Sequence, residues 1–330
     1  MAVYTEVEDE ALAAFLTEYD IGRLTAFRGI AEGVENSNFV LRTTQDETDR
    51  DFILTLYEKR VNPAELPWFL GLMRHLAMNG LNCPLPVAGR DGEALRELAG
   101  RPAAITTFLR GVWPRHVHVE HCGPLGAALA SLHLAGQDYK AERPNGLGPD
   151  AWRPLLLASR KNEATDRSFP GLSEELDLAL DRILPQWPVI TGTSTLPRGQ
   201  IHADLFPDNV FFLDGTISGI IDFYFACTDL LAYDIAICLN AWCFSDDGTF
   251  NVTYARRLLE GYQSIRPLSE AERSALPVLA AGAAMRFALT RLYDWINTPA
   301  SAMVTRKDPM AYVHRLRFHM ASPTLEAYGV

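Results

Sequence analysis

Ile201-His-Ala-Asp-Leu-Phe-Pro-Asp-Asn-Val-Phe-Phe-Leu-Asp-Gly-Thr-Ile-Ser-Gly-Ile-Ile-Asp222 is the stretch from which the rest of the chain can be read. Val210 to Leu213 is an apolar strand, Asp214-Gly215 is the favoured two-residue hairpin turn, and Thr216 to Ile221 is the returning strand. Folding about the Asp-Gly centre sets position 209 opposite about position 220, so Asn209 and Asp222 emerge at the open end of the hairpin. Asp204 lies on the loop just before it. Two carboxylates and an amide thus converge, with no Lys or Arg among residues 199–222 to neutralise them. Hard oxygen ligands of this kind suit Mg²⁺, which also takes oxygens from phosphates. A carboxylate beside the metal pair can accept a proton from an attacking hydroxyl. Phosphoryl transfer asks for this combination of positioning and charge neutralisation. Asp, Asn and Gly also occur in plain turns, and an isolated H-x-D carries little. The joint spacing carries more: H-x-D-x-x-x-x-N is followed thirteen residues after the Asn by I-I-D-F, with a hairpin between.

Upstream, Phe39 to Thr43 and Phe52 to Tyr57 read as strands, with the charged Thr44 to Asp51 as an exposed hairpin loop. Leu66, Phe69, Leu70, Met73, Leu76 and Ala77 recur at helical spacing; Gly80 ends that helix, and Pro84 and Pro86 prevent its continuation. Ala103 to Leu109 is a further strand. From about residue 110 the pattern turns helical, and a long helix is expected over Val278 to Ile296. Stretches rich in Pro, Gly, Ser and Thr at 141–150, 166–173 and 191–199 read as loops. The fold class is α+β: a small antiparallel-sheet lobe over 1–107 and a larger, mostly helical lobe over 108–330.

Thirty Lys and Arg against forty-one Asp and Glu give a net charge of −11 on 330 residues. No basic footprint for nucleic acid or an anionic membrane is present. No uninterrupted apolar run approaches the ~18 residues that a span needs, and the first ten residues are acidic where a signal peptide is basic. A cytoplasmic protein is expected, with a small-molecule substrate and neither nucleic acid nor membrane as partner; oligomeric state has no signature in the sequence. The five cysteines contain no C-x-x-C pair, which argues against zinc or a disulfide framework. No G-K-[ST] occurs, which excludes a P-loop enzyme.

The 201–223 segment resembles the catalytic and metal loops of the protein-kinase-like superfamily, in its small-molecule branch of aminoglycoside and choline phosphotransferases. That branch carries H-[GA]-D-x-x-x-x-N and I-D-[FW]. More narrowly, Gly29 to Phe39, His202 to Phe206, Ile221 to Cys227, Leu230 to Cys243 and Arg291 to Trp295 resemble the kinase-like type of bacterial homoserine kinase. The resemblance runs from about residue 3 to the C-terminus. It implies a two-lobe kinase-like fold and transfer of phosphate from ATP, with Mg²⁺, to the hydroxyl of L-homoserine, giving O-phospho-L-homoserine for threonine biosynthesis. It also implies Asp204 as catalytic base, His202 as a brace for the loop, and Asn209 and Asp222 as Mg²⁺ ligands. Gly29, Gly33, Asn36, Ser37 and Asn38 match the nucleotide-covering loop. Thr107, Phe108 and Leu109, with Thr106, sit where the family's connector holds adenine. One departure stands out: Thr55 and Phe69 occupy the positions of the family's small-lobe Lys or Arg and its Glu partner, with Lys59 and Glu65 nearby.

Homoserine presents an ammonium, a carboxylate and a hydroxyl, so its site needs acidic and basic groups near the catalytic Asp. Arg286, Arg291 and Asp294 on the long helix are candidates, 291 and 294 sharing a face at i, i+3. Tyr224 and Asp229, just after the metal loop, are further candidates, and Asp234 is a candidate to pin the catalytic loop. Kinases of choline, methylthioribose or an aminoglycoside are the rival enzymes. The Thr55 and Phe69 departure motivates a nucleotide-binding pseudokinase as the rival from another class.

Overall fold

The computed structural model describes residues 5–30, 36–58, 62–160, 163–188, 196–298, 306–321 and 324–329. The chain divides into two compact units, the first running to Gly111 with Ser218–Ile221 added, the second holding Val112–Ile217 and the residues from Asp222 onward.

The first unit contains α1 (Asp9–Leu16), β1 (Arg23–Gly29), β2 (Ser37–Gln45), β3 (Thr48–Leu56), α2 (Leu66–Met78), β4 (Arg96–Leu98) and β5 (Arg101–Thr107). Its strands form one antiparallel sheet in the order β1-β2-β3-β5-β4. Because side chains alternate across a strand, Phe39 and Leu41 of β2 and Phe52 and Leu54 of β3 turn to one core. Leu12 and Phe15 of α1, Leu98 and Ile105 complete it. The expected loop over Thr44 to Asp51 proves to be mostly strand. Only Asp46 and Glu47 turn, at φ 50° and 61°, as a tight two-residue hairpin requires. Polar cross-strand pairs extend the ladder: Arg42 meets Asp51 at 2.8 Å, and the Thr44 hydroxyl donates to Asp49. Charge there marks a solvated strand face, not a loop.

The second unit contains α3 (Val119–Ala135), α4 (Pro149–Arg160), α5 (Glu163–Ser168), α6 (Leu172–Ile183), β6 (Arg198–Ile201), β7 (Val210–Leu213), β8 (Thr216–Ile220), β9 (Cys227–Leu230), α7 (Leu231–Trp242), α8 (Val252–Gln263), α9 (Glu270–Asn297) and α10 (Met310–Ala321). β6 pairs antiparallel with β9, and β7 with β8. The stretches expected as loops are shorter than their composition suggests, since α4 begins at Pro149, α5 ends at Ser168, α6 begins at Leu172 and β6 begins at Arg198. The long helix α9 starts eight residues before the expected Val278. Ser269 Oγ accepts from the Glu272 N–H at 3.2 Å and Glu272 Oε2 accepts from the Ser269 N–H at 2.9 Å. This reciprocal cap sets the start, and Pro277 is carried inside the helix. An 18-residue window of α9 has a mean hydropathy of 1.3, and 78% of it is buried: interruption by polar residues hides it from an uninterrupted-run criterion, and its place is the core.

Helices α3 and α8 cross backbone to backbone. A Cβ on Gly126 would lie 2.0 Å from the Leu258 carbonyl oxygen, and one on Gly261 would lie 2.1 Å from that of Gly123. Gly126→Ala is therefore expected to push the helices apart and destabilise the protein by about 1–3 kcal/mol. Gly146→Ala, where a Cβ meets nothing within 4 Å, is expected to leave the denaturation midpoint unchanged; equal midpoints for the two variants would contradict the close crossing.

Candidate active site

Strand β6 ends at Ile201, and the chain must turn sharply to expose Asp204. The turn falls on Ala203, at φ 61°, a left-handed conformation that a residue with a Cβ adopts only when its surroundings enforce it. The enforcement is visible on both sides of the residue. Asp234, fully buried in the first turn of α7, accepts the His202 N–H at 2.7 Å and the Ala203 N–H at 2.9 Å, one on each carboxylate oxygen. The Ala203 carbonyl accepts from Nη1 of Arg286, a buried residue of α9. His133 of α3 lies 3.2 Å from Asp234 Oδ2 through Nε2, and its Nδ1 is 2.7 Å from the Tyr262 hydroxyl of α8. Burial alone would push the Asp234 carboxyl up. The His133 hydrogen bond, the neighbouring His133 and His202, and the backbone N–H of His202 hold it below the usual carboxylate range.

His202 is buried, with its ring centroid 4.8 Å from that of Phe223, and its Nδ1 accepts the Asp204 N–H at 3.3 Å. That leaves Nε2 to carry the imidazole proton. Asp204 itself is half-buried. Asn209 closes a single 3₁₀ turn over Pro207–Asn209, and its Nδ2 donates to the Asp204 carbonyl at 2.8 Å. Because the amide nitrogen is engaged, the Asn209 Oδ1 is the end that remains as an acceptor. The Asp-Gly hairpin turn is present, with Asp214 at φ 50° and Gly215 at φ 77°. Asn209 therefore precedes β7 and Asp222 follows β8, both at the open end of one hairpin. Asp222 is exposed and left-handed at φ 65°. An amide oxygen and a carboxylate are hard donors that fit a divalent cation sharing its remaining positions with water and phosphate oxygens.

The other candidates in this unit fall into distinct places. Asp229 is buried, accepting from Asn145 Nδ2 and from the Leu230 N–H, each at 2.7 Å. Burial pushes its carboxyl up against the pull of those bonds. Arg286 is committed to Ala203. Arg291 donates to the Asp308 carbonyl at 3.3 Å, and its guanidinium carbon lies 4.4 Å from the centre of the Tyr312 ring. Burial lowers its pKa, and Tyr312 and Asp204 are among the groups that pull it back, which puts it in the electrostatic field of Asp204. Asp294 is exposed and Tyr224 half-buried. Sequence reasoning passes over His133, Tyr312 and Arg315. The first had no local pattern to betray it; the last two sit at i, i+3 on α10, a spacing that marks a shared face.

In the first unit, Gly29 ends β1, and the Ile30 N–H donates to the Asn38 carbonyl at 2.8 Å; Gly33 lies outside the described residues. Asn36 Oδ1 accepts the Glu58 N–H at 3.2 Å, and the Ser37 hydroxyl donates to Glu58 Oε1 at 2.8 Å. The Thr55 hydroxyl donates to Asn38 Oδ1 at 2.8 Å from the opposite position of β3. Thr55 and Phe69 are both buried, so neutral side chains fill the two positions where the resemblance implies an ion pair. Lys59 lies outside the described residues. Thr107 brackets Leu85, its N–H donating to the Leu85 carbonyl at 3.0 Å and its hydroxyl accepting the Leu85 N–H at 2.9 Å. Phe108 is exposed, and Leu109 packs so closely on Gly219 that a Cβ there would lie 2.5 Å from Leu109 Cδ1.

Residues 26–268 match the phosphotransferase enzyme family. The chain belongs to that family. Among the phosphotransferases, it is 70% identical over all 330 residues to the homoserine kinase of Gluconacetobacter diazotrophicus, with the whole of both chains covered. It is 66% identical to that of Granulibacter bethesdensis over the same span, again with both chains covered in full. Among solved structures it resembles a microcompartment-associated aminopropanol kinase, with a TM-score of 0.69, 21% identity, and 97% of this chain and 100% of that chain covered. That likeness shows the kinase-like fold.

Asp234→Asn keeps one carbonyl oxygen but sets an NH₂ against one of the two N–H groups. Stability is expected to fall by about 3–5 kcal/mol, as for breaking a buried charged network, with a loss of turnover. A carboxyl held low stabilises the fold above its unfolded pKa of about 4, and that contribution fades as the pH drops through its folded value. The wild-type advantage in a denaturant titration should thus be constant at neutral pH and shrink below about pH 4; an advantage independent of pH would contradict a charged Asp234.

Proposed function

We propose that this phosphotransferase moves the γ-phosphoryl group of ATP to the hydroxyl of L-homoserine, giving O-phospho-L-homoserine and ADP, a step towards threonine. The observation that carries the reading is identity of 70% and 66% with two homoserine kinases across the entire chain, in company with an intact His202, Asp204, Asn209 and Asp222.

Asp204 is the proposed base. Its backbone is held by the Asn209 side chain and the His202 ring, which fixes where its carboxylate meets the substrate hydroxyl. It orients that hydroxyl and takes its proton as the oxygen attacks phosphorus. His202 braces the loop and moves no proton. Asn209 Oδ1 and Asp222 would hold Mg²⁺, and the cation, when bound, neutralises phosphate charge. Gly29, Gly33, Asn36, Ser37 and Asn38 are proposed to cover the nucleotide phosphates, and Thr107, Phe108 and Leu109 to hold the base. With Thr55 and Phe69 in place of the small-lobe ion pair, the positive charge opposite the phosphates falls to the metal. This also keeps a nucleotide-binding pseudokinase as the second reading.

The test is a coupled ADP assay on the purified protein with L-homoserine, choline, methylthioribose and an aminoglycoside as acceptors. L-homoserine is expected to be turned over best; a preference for another alcohol sinks the substrate, and no turnover of any acceptor favours the pseudokinase. Asp204→Asn is expected to lower kcat by roughly 10²–10⁴ while the protein still melts as the wild type does. Chelation is expected to abolish turnover and added Mg²⁺ to restore it, with Asn209→Ala and Asp222→Ala each raising the Mg²⁺ concentration required.

A further inference from the structure

Around Tyr312 the second unit gathers positive charge that its fold does not use. The guanidinium carbons of Arg291, from α9, and of Arg315, one turn along α10, each lie 4.4 Å from the centre of the Tyr312 ring. Arg291 donates to the Asp308 carbonyl and Arg315 to the Asn240 carbonyl, the latter at 2.5 Å. Each guanidinium has five N–H donors, and among the described residues neither makes an ion pair with a carboxylate. Two like charges on one ring repel, and an aromatic face offsets only part of that cost. The Tyr312 hydroxyl is fully buried and, among the described residues, has no hydrogen-bond partner. A buried hydroxyl left unpaired is costly unless something arrives to pair it.

This cluster packs against the loop that carries the proposed base. The ring of Phe206, two residues past Asp204, lies 6.3 Å from that of Tyr312 and 5.0 Å from that of Phe287, which is itself 5.0 Å from Tyr312. The cluster is also held rigidly. Asn240 Nδ2 donates to the Ala280 carbonyl of α9 at 2.9 Å, and its Oδ1 is 3.2 Å from His319 Nε2 on α10. The residue whose carbonyl orients Arg315 is therefore tied through its side chain to both neighbouring helices.

We propose that Arg315 and the Tyr312 hydroxyl, with Arg291, bind the carboxylate of the substrate and so select a hydroxy amino acid over an amino alcohol. The assignment rests on the reading of the protein as a homoserine kinase and names the residues that reading lacks. A carboxylate accepts about four hydrogen bonds in its plane, which matches a guanidinium fork and a phenol. Arg286, the other arginine expected at the substrate, is 2% exposed and holds the Ala203 carbonyl of the catalytic loop. A polycationic acceptor would meet two repelling guanidiniums here.

The experiment compares kcat/KM for L-homoserine, L-homoserinamide and 3-aminopropan-1-ol in the wild type, Tyr312→Phe and Arg315→Gln, each first shown to melt cooperatively. The wild type is expected to favour L-homoserine over both analogues. Arg315→Gln should raise KM for L-homoserine roughly 10- to 100-fold, and Tyr312→Phe, which keeps the packed ring, roughly tenfold. In both, the preference for the acid over the amide should collapse by the same factors. Equal losses on acid and amide would mean a structural role and overturn the site. A wild type that phosphorylates L-homoserine while both variants keep its preference overturns the site and leaves the functional reading standing. A wild type inactive on L-homoserine overturns that reading, and the site with it.

Discussion

The second unit is organised around one buried carboxylate. Asp234 places its two oxygens on two successive N–H groups, those of His202 and Ala203, and so holds the chain in a left-handed turn it would not otherwise adopt. A charge with no exposure to water is tolerable only if every lone pair is answered. The answer comes from His133, which is oriented in turn by Tyr262. Those two residues belong to α3 and α8, whose backbones touch at Gly126 and Gly261. Two glycines far from Asp204 in sequence thus bear on its position, because any widening of that crossing separates His133 from the Tyr262 hydroxyl that orients it. Arg286 completes the clamp from the other side by taking the Ala203 carbonyl. With the peptide group before Ala203 held through its N–H by an anion and the one after it held through its C=O by a cation, the residue has little freedom left.

The first unit shows the opposite solution to burying polar groups. Where the related fold is expected to keep a Lys and a Glu, this chain has Thr55 and Phe69, both buried. Thr55 answers its hydroxyl locally, on Asn38 of the adjoining strand, while Phe69 needs no partner. Ion pairing survives at the margin, where Glu58 meets Arg101 at 3.2 Å and gathers Thr5 and Ser37 as well. Replacing both partners of a buried pair by neutral groups avoids the penalty of leaving one charge alone.

Legibility from sequence followed the range of the interactions involved. The hairpin at 210–220 was readable because a two-residue Asp-Gly turn and flanking apolar strands are local, and with it came the order of Asp204, Asn209 and Asp222. The α+β class and the long helix α9 follow from periodicity, though α9 begins eight residues before the expected Val278, at a cap that Ser269 and Glu272 state in four letters. Over Thr44 to Asp51 charge hides strand character, because Arg42 and Asp51 use it to register two strands. Asp234 was a candidate to pin the catalytic loop, and it does so on His202 and Ala203, but most of what is joined over long separations stayed out of reach. His133 and Asp234 are 101 residues apart and Arg286 and Ala203 are 83 apart. No spacing rule connects such pairs, and each residue alone looks like an ordinary core or surface side chain.

The same distinction explains why Arg286 and Arg291, five residues apart on one helix, have different fates. A turn of 3.6 residues rotates position 291 by about 140° from position 286, enough to take one guanidinium into the core and leave the other at its edge. Arg286 finds a backbone carbonyl, 2% exposed and flanked by Phe287 and Phe225. Arg291 finds the Tyr312 ring and the field of Asp204. Lysine at either position would be a poorer choice: a planar, weakly hydrated cation stacks on aromatic faces and still projects donors in the plane, while an ammonium does neither well. A chain with a net charge of −11 thus keeps Arg291 and Arg315 where an aromatic ring can hold them without neutralising them. Had carboxylates from the protein answered Arg291 and Arg315, the pair would be more comfortable and would have nothing left to offer an anion.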